Sequence, residues 1–431
     1  MKTFVWNELG EAGRRAVLAR PAQREDETLR QGVLDIVSQV RDGGWDSLCE
    51  TARRIDGDEP REIEVAPLAS DARRALSAEQ VEAIELAAAN IRAFHEASRP
   101  NDVSVETMPG LTVRKLWRAI DRVGLYVPGG KTPLFSTLLM LALPARAAGV
   151  KEIVAGTPPR SEGGIDPCIA LAAELCGIAR IWTVGGAQAI AALAFSAGAI
   201  AKVDKICGPG NAWVAEAKRL VSSMPGGAAI DLPAGPSELM VIGDESADPA
   251  SVAADLLSQA EHDAHAQVLL VTPSEQLARA VAREVERQLE TLPRSAIAQA
   301  SLECARTILV ADVEEATEIA NLYAPEHLSL AIDDPASLLP SIRNAGAVFA
   351  GPLAAETFGD YLAGSSHVLP TDGAARAWGG ISVYSFMKAM SVQTVTAEAA
   401  RRIAGPAATL ARMEGLEAHA RAADARVEYA A

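Results

Sequence analysis

The sequence predicts an α/β protein made of two tandem units, each a parallel sheet covered by helices, with small helical segments at its ends. Two observations carry that expectation. From about residue 122, short apolar runs are each followed by a glycine-rich turn and a longer helical stretch, and a second series of the same kind starts after Pro236. Strands that alternate with helices lie parallel and bury both faces. A third observation separates the units: residues 223–237 are dense in glycine and proline, the composition of a crossing rather than of an element.

Taken in order, residues 24–55 and 70–97 read as helices. The second carries Val81, Ile84, Ala87, Ala88, Ile91 and Phe94 at spacings of three and four, a stripe that faces a core. The first parallel series has strands at 122–127, 152–156 and 181–184. The second has strands at 238–242, 267–271 and 306–310, with helices over 248–261, 274–290 and 312–322. Beyond about residue 382 the chain turns helical and polar, with a helix over 406–424. The expected division is an N-terminal helical arm over 1–23, a first α/β domain from 24–125 and 239–381 that carries most metal and catalytic residues, a second α/β domain over 126–238, and a C-terminal helical segment over 382–431.

The 431 residues are 49% hydrophobic, enough for a substantial core. There are 40 basic against 56 acidic residues, a net charge of −16. Phosphate backbones and anionic membranes repel such a surface, so neither nucleic acid nor membrane is expected as a partner. The amino terminus lacks the apolar stretch of a secretory signal, and no run of about 18 apolar residues follows; the expected location is the cytoplasm. The five cysteines, at 49, 168, 176, 207 and 304, contain no C-x-x-C pair, which argues against disulfides and against a thiolate zinc site. Any metal must then be held by imidazole, carboxylate or amide groups.

Six histidines, at 95, 262, 265, 327, 367 and 419, bound the search for chemistry. His95, beside Glu96 on an early helix, is expected to be solvated. Gln259 and His262 stand three apart in a helical run and project from one face, where two polar heads can share an ion. A solvated helix end is the bland alternative there, and His265 competes for the same role. Glu326 and His327 place a carboxylate beside an imidazole after a helix, a pairing suited to two sequential proton transfers. Asp360 and His367 lie in the glycine-flanked loop 359–371, of a composition that carries sites. Glu414 and His419 sit on what reads as an ordinary exposed helix. Gln259, His262, Asp360 and His419 together are a mixed nitrogen and oxygen set that could bind a divalent cation, zinc being the commonest choice where imidazole is present.

Gly185-Gly186-Ala187-Gln188 and Gly208-Pro209-Gly210-Asn211 each open a helix, so backbone N–H groups there could face a phosphate. Neither matches G-x-G-x-x-G, and simple strand-to-helix turns would look the same.

Several of these segments together resemble the histidinol dehydrogenase family, from about residue 24 to residue 426. The resembling stretches are Gly124 to Gly130 with Phe135 to Met140, Val184 to Ile190, Gly208 to Asn211, Asp231 to Glu238, Asp255 to His262, Ala324 to Leu328, Gly359-Asp360-Tyr361, His367 to Thr371, and Glu414 to His419. The resemblance implies two incomplete Rossmann-like units in an interlocked homodimer with shared active sites. It implies oxidation of L-histidinol through L-histidinaldehyde to L-histidine with two NAD reduced, the last step of histidine biosynthesis. One zinc per subunit would be held by Gln259, His262, Asp360 and His419, groups that also meet the substrate. Ser237, His327, His367 and Glu414 would line the substrate pocket, while Tyr126, Gln188 and Asn211 would touch NAD. Glu414 and His419 would come from the neighbouring subunit. His327 would act as general base and Glu326 would activate water.

The chain departs from the family pattern at two places. Ser366 precedes His367 where asparagine is usual, and Lys131 follows Gly129-Gly130 where a small residue is usual. Lys131 motivates an alternative, a paralogous zinc- and NAD-dependent dehydrogenase of another small diol or amino alcohol. Two further alternatives are an aldehyde dehydrogenase with Cys207 as thiolate nucleophile and a zinc-bound scaffold without turnover.

Overall fold

The computed structural model describes residues 1–20, 27–129, 133–232 and 235–429; Lys131 lies outside them. The chain opens with β1 (Lys2–Val5) and α1 (Glu11–Leu18). It continues through α2 (Glu27–Ile55), bent at Gly44, then β2 (Glu62–Glu64), α3 (Val65–Ala75) and α4 (Ala78–Ala97). The single helix expected over 70–97 is two, because Ser77 stops one and caps the next. Its hydroxyl accepts from Gln80 N–H while Gln80 Oε1 accepts from Ser77 N–H, a reciprocal box that satisfies two end donors.

β3 (Val103–Met108) and β4 (Leu111–Ala119) then form an antiparallel pair. The first parallel series follows as β5 (Arg122–Tyr126), α5 (Phe135–Ala148), β6 (Glu152–Thr157), α6 (Pro167–Leu175), β7 (Arg180–Thr183), α7 (Gly186–Phe195), β8 (Lys205–Cys207), α8 (Ala212–Ser223) and β9 (Ala229–Ile230). The second comprises β10 (Glu238–Gly243), α9 (Pro249–Ala260), β11 (Gln267–Thr272), α10 (Glu275–Leu289), α11 (Ser295–Leu302), β12 (Arg306–Leu309), α12 (Val313–Tyr323), β13 (His327–Ala331), β14 (Ala347–Ala350) and α13 (Glu356–Tyr361). β15 (Met387–Val395), α14 (Ala397–Met413) and α15 (Glu417–Tyr429) close the chain.

These elements build two six-stranded sheets. One has the order β1-β12-β11-β10-β13-β14 and is parallel throughout; the other, β2-β7-β6-β5-β8-β9, is parallel except for β2 at its edge. β10, β11 and β13 are buried along their whole length, as strands covered on both faces must be. Each fully buried leucine or valine there contributes roughly 1.5–3 kcal/mol through removal from water.

The α/β class and the tandem series are as expected, but the sheets divide the chain differently from the boundaries at 125 and 239. β5 is a middle strand of the second sheet, and α2, α3 and α4 pack on α7, α8, α6 and α5 of that same unit, so these helices and β5 go with it, while β3 and β4 do not. Residues 1–18 are not a helical arm, because β1 aligns Lys2 opposite Arg306 at the edge of the first sheet. The stretch after 382 is not wholly helical either. β15 pairs with β4 along nine residues to make a third, antiparallel sheet, β15-β4-β3. Beyond it the helix expected over 406–424 is two, divided at Glu414-Gly415, where Gly415 has a positive φ of 77°.

His95 is a correction of another kind: it is fully buried, while Phe94 is exposed. The spacing that carries Ile84, Ala88 and Ile91 inward runs on by four to position 95, not by three to 94. Both His95 ring nitrogens are without a hydrogen-bond partner among the described residues, and burial lowers its pKa to about 4.

Candidate active site

The groups with acid-base and ligating capacity converge on the N-terminal ends of β10 and β13. α12 ends in Ala324, whose φ of 56° turns the chain sharply, and Pro325 prevents the helix from resuming. Glu326 and His327 therefore enter β13 from a set direction, and both are buried. The backbone of one residue, Glu238, holds the pair. Glu238 N–H donates to Glu326 Oε2 at 2.8 Å, and His327 Nδ1 donates to the Glu238 carbonyl at 3.0 Å. With Nδ1 committed as donor, Nε2 is the nitrogen left to act as base. It has no hydrogen-bond partner among the described residues and lies 3.6 Å from Asp360 Oδ1.

α13 supplies two carboxylates one turn apart, Glu356 and Asp360, on the same face. Gln259, fully buried in the last turn of α9, reaches the same place. The amide orientation that satisfies both its ends donates N–H to Glu356 Oε1 at 2.5 Å and accepts Glu238 N–H at 3.1 Å. His327, Glu356 and Asp360 each offer an atom within 4.8 Å of the others. Burial is the chief cause raising Glu326 to about 7 and Glu356 to about 8, with His327 opposing it in both cases. Burial would lower His327, yet the carboxylates of Glu326, Glu356 and Asp360 outweigh it and raise the imidazole to about 10. Burial likewise works against ionised Asp360, and its contact with His327, with His367 and His262 nearby, overcomes this and holds it below the usual range.

His262 stands just beyond α9 and is largely exposed. Enough protein surrounds its ring for desolvation to lower its pKa, with Asp360 opposing that shift. His367 joins the two units above the site: Nε2 lies 3.0 Å from Thr137 Oγ1 of α5, and Nδ1 donates to the Asp360 carbonyl at 3.1 Å. Ser237 is half-buried immediately before Glu238, and its carbonyl accepts Gln267 N–H. Ser366 is buried, and its hydroxyl accepts Val368 N–H at 3.1 Å, so the loop at the first departure from the family pattern has a brace of its own. Glu414 and His419 are exposed on α14 and α15, which pack mainly on each other, and neither joins the cluster within one chain.

The glycine turns lie at the C-terminal ends of β7 and β8 and are built otherwise than expected. Gly185 N–H donates to Asp56 Oδ2 at 3.0 Å, Gly186 N–H to Tyr126 Oη at 3.3 Å, and Gly208 N–H to Asp231 Oδ2 at 2.7 Å. Amides thought free for a phosphate are thus engaged by side chains, two of them acidic. Gln188 is fully buried and donates to Asp56 at 3.0 Å, and Tyr126 is nearly so; both shape the turn from beneath. Asn211 is exposed and caps α8 by accepting from Trp213 and Val214 N–H. Gly208 needs its glycine: at φ 130°, a Cβ would come within 2.1 Å of the Tyr126 carbonyl. A buried ion pair, Lys218 with Asp231, clasps the same residue from both sides, Lys218 Nζ donating to Gly208 O at 2.8 Å. Cys207 is fully buried and its thiol is pushed up by that burial, which disfavours it as a thiolate nucleophile.

Comparison with known proteins gives this arrangement its context. The family model described as histidinol dehydrogenase matches residues 18–427. The chain belongs to the histidinol dehydrogenase family. It is 48% identical over 429 residues to a histidinol dehydrogenase of Xylella fastidiosa and 45% identical over 429 residues to one of Vibrio parahaemolyticus, covering 99% of both chains in each case. A crystal structure of histidinol dehydrogenase from Elizabethkingia anophelis superposes with a TM-score of 0.95 at 39% identity, over 100% of this chain and 98% of that one. As a histidinol dehydrogenase family member the chain is an NAD-dependent oxidoreductase. No helix among the described residues is long and apolar enough to cross a membrane.

Three polar residues escaped sequence reasoning: Glu238 and Glu356 at the acid-base cluster, and Asp56 beneath the first glycine turn. Glu356 carried a signal, since it stands four before Asp360 in a helical stretch. Glu238 and Asp56 carried none, because a backbone contact and a contact over 129 positions of chain leave no local pattern.

Proposed function

We propose that this chain catalyses the four-electron oxidation of L-histidinol through L-histidinaldehyde to L-histidine, reducing two NAD, as the last step of histidine biosynthesis. The observation that carries the reading is the buried Glu326–His327 pair, oriented by the backbone N–H and carbonyl of Glu238, with His327 Nε2 unpartnered among the described residues and facing Asp360. Two buried atoms without hydrogen bonds, His327 Nε2 and Glu356 Oε2, beside Asp360 and the Gln259 amide, fit a neighbouring divalent cation. Zinc held by Gln259, His262, Asp360 and the partner subunit's His419 would anchor the substrate's amino and imidazole nitrogens and add positive charge that favours neutral His327.

The residues of the chain then divide the work. His327 Nε2 takes the hydroxyl proton as hydride leaves the carbinol carbon for the nicotinamide. Glu326, raised towards neutrality by burial, accepts a proton from the water that attacks the aldehyde carbon. His327, having released its first proton, takes the hydrate's proton as the second hydride leaves. Ser237, His367 and the partner subunit's Glu414 would line the substrate pocket. Exposed Asn211 would meet the cofactor directly, over a floor shaped by Tyr126 and Gln188, at the strand ends where α/β sheets receive dinucleotides. The exposed α14–α15 pair, with Glu414 and His419 outside their own chain's cluster, supports a homodimer with shared sites.

The test is stoichiometry and choice of substrate. Zinc-loaded protein should form two NADH per L-histidinol and turn over phosphorylated or sulfonated diols at least about 100-fold less well, given the cost of an unmatched charged group. Negligible turnover of L-histidinol with rapid turnover of an anionic diol would overturn the reading in favour of the paralogous enzyme.

A further inference from the structure

Glu238 is the first residue of β10, and its backbone serves three neighbours at once: Glu326 and Gln259 through the N–H, and His327 through the carbonyl. Its side chain is almost wholly buried and points the other way, into a clasp made by the first segment of the chain. Arg20 Nε meets Glu238 Oε1 at 2.5 Å, and Arg20 Nη2 donates to Oε2 at 2.9 Å, the bidentate geometry that fixes a carboxylate in both position and plane. The guanidinium is itself held: Nη2 donates to the Tyr323 carbonyl at 2.9 Å, and its carbon sits 3.9 Å from the centre of the Tyr323 ring. Tyr323 Oη donates to Gln267 Oε1 at 2.9 Å, and Asp372 N–H adds a third bond to Glu238 Oε1 at 2.9 Å.

From this geometry we infer that Arg20 is a positioning residue for the Glu326–His327 pair, acting through the side chain and then the backbone of Glu238. The inference rests on the assignment of Glu326 and His327 as the acid-base pair. The physical link is short. A buried carboxylate that loses its cation must find water or another donor, and any displacement of Glu238 towards one tilts the two peptides flanking its Cα, one of which holds Glu326 and the other His327. A tilt of that kind leaves the substrate pocket in place and misaligns proton transfer, so it lowers kcat more than it raises KM. Arg20 touches neither Glu326 nor His327, which separates this role from catalysis itself.

A second arginine provides the control. Arg306 also ties down the chain leading to Arg20, donating to the Val17 and Ala19 carbonyls, yet makes no contact with Glu238. Arg20→Met, Arg20→Lys, Arg306→Met and Glu326→Gln are compared, each zinc-loaded, for kcat and KM on L-histidinol, on L-histidinaldehyde and for thermal midpoint. The expected result is a kcat loss of about 10- to 100-fold in Arg20→Met with KM changed less than about threefold, the range of a misplaced proton-transfer group. Added guanidinium ion should recover part of that rate, and Arg20→Lys should fall between, since an ammonium cannot grip both oxygens. Arg306→Met should keep kcat within about twofold. Equal kcat losses in Arg20→Met and Arg306→Met, or no guanidinium rescue, would overturn the positioning role while leaving the acid-base pair intact. Full aldehyde oxidation by Glu326→Gln would instead overturn the pair, and the positioning role with it. If Arg20→Met does not fold, Arg20→Lys with a wild-type midpoint and wild-type kcat on both substrates would contradict the proposal equally well.

Discussion

The two six-stranded sheets present opposite edges to function. In the second sheet the glycine turns follow β7 and β8 at their C-terminal ends, the edge at which doubly wound sheets ordinarily receive ligands. In the first sheet the acid-base pair and the carboxylate cluster gather at the N-terminal ends of β10 and β13, with α9 delivering Gln259 just ahead of β11. The edges also differ in how they treat charge. Beneath the turns, Asp56 is answered by two N–H donors and Asp231 by Lys218 and the Gly208 amide, so both carboxylates have partners although Gln188 Oε1 has no hydrogen bond among the described residues. Around His327, buried atoms of the imidazole and of Glu356 are left unanswered. Carboxylates answered by amides or a cation suit a scaffold, whereas several buried titratable groups gathered with atoms left over suit chemistry; a lone unanswered group such as His95 does neither.

The sharpest way to break that contrast is His327→Asn. Both oxidations should fall by about 10²- to 10⁴-fold, the usual worth of a general base, read as NADH formation from L-histidinol and from L-histidinaldehyde separately. A loss confined to one step would mean that the base role is shared. Removing metal by chelation should likewise abolish both steps and raise the fraction of protonated His327, since the carboxylates that lift its pKa then act unopposed. Turnover regained with zinc, together with a return of neutral imidazole signals in NMR spectra, checks this. Unchanged turnover after verified metal loss would remove the cation from the account.

On the scaffold side, Lys218→Met leaves Asp231 buried without its cation and should cost about 3–5 kcal/mol in stability, measured by denaturant unfolding. It should raise the KM for NAD more than it lowers kcat; the reverse pattern would place the Gly208 turn in the chemistry. His95 offers a smaller effect away from both edges. Its pKa is depressed from 6.5 to about 4 in the folded chain, so between those values the unfolded chain holds the extra proton and stability falls as pH is lowered from 6.5 towards 4. The slope approaches ~1.4 kcal/mol per pH unit at its steepest. His95→Leu should lose that slope, seen in thermal midpoints across the range. The least effect is expected of Cys207→Ala, whose activity should stay within about twofold, because the buried thiol is not available as a nucleophile; a large loss would revive the thiolate mechanism.

Which parts of this were legible in the sequence follows from how local each signal is. The buried parallel strands announce themselves as unbroken apolar runs, and β11 and α10 lie within a residue of where the pattern put them. β3, β4 and β15 have mostly exposed or half-buried residues, so no hydrophobic alternation marks them, and their sheet joins positions far apart in the chain. Equally non-local contacts placed β1 in the first sheet and β5, with α2 to α4 packed beside it, in the second unit. At the site, Glu326-His327 was readable because its chemistry is contiguous and Gln259 because it stands three before His262 in the sequence, although the helix stops short of His262 and leaves it exposed while Gln259 is buried. Glu238 was hidden within an apolar strand, where its backbone rather than its side chain does the orienting. His95 misled because adjacent charge suggested solvent while its spacing belonged to the core stripe.

The division of labour within the buried pair is tested most directly by single-turnover measurements on zinc-loaded Glu326→Gln with L-histidinol and with L-histidinaldehyde. The account predicts that alcohol oxidation survives within about tenfold while aldehyde oxidation drops by about 10²-fold or more, since water activation belongs to the second step alone. Equal losses in the two steps would contradict it.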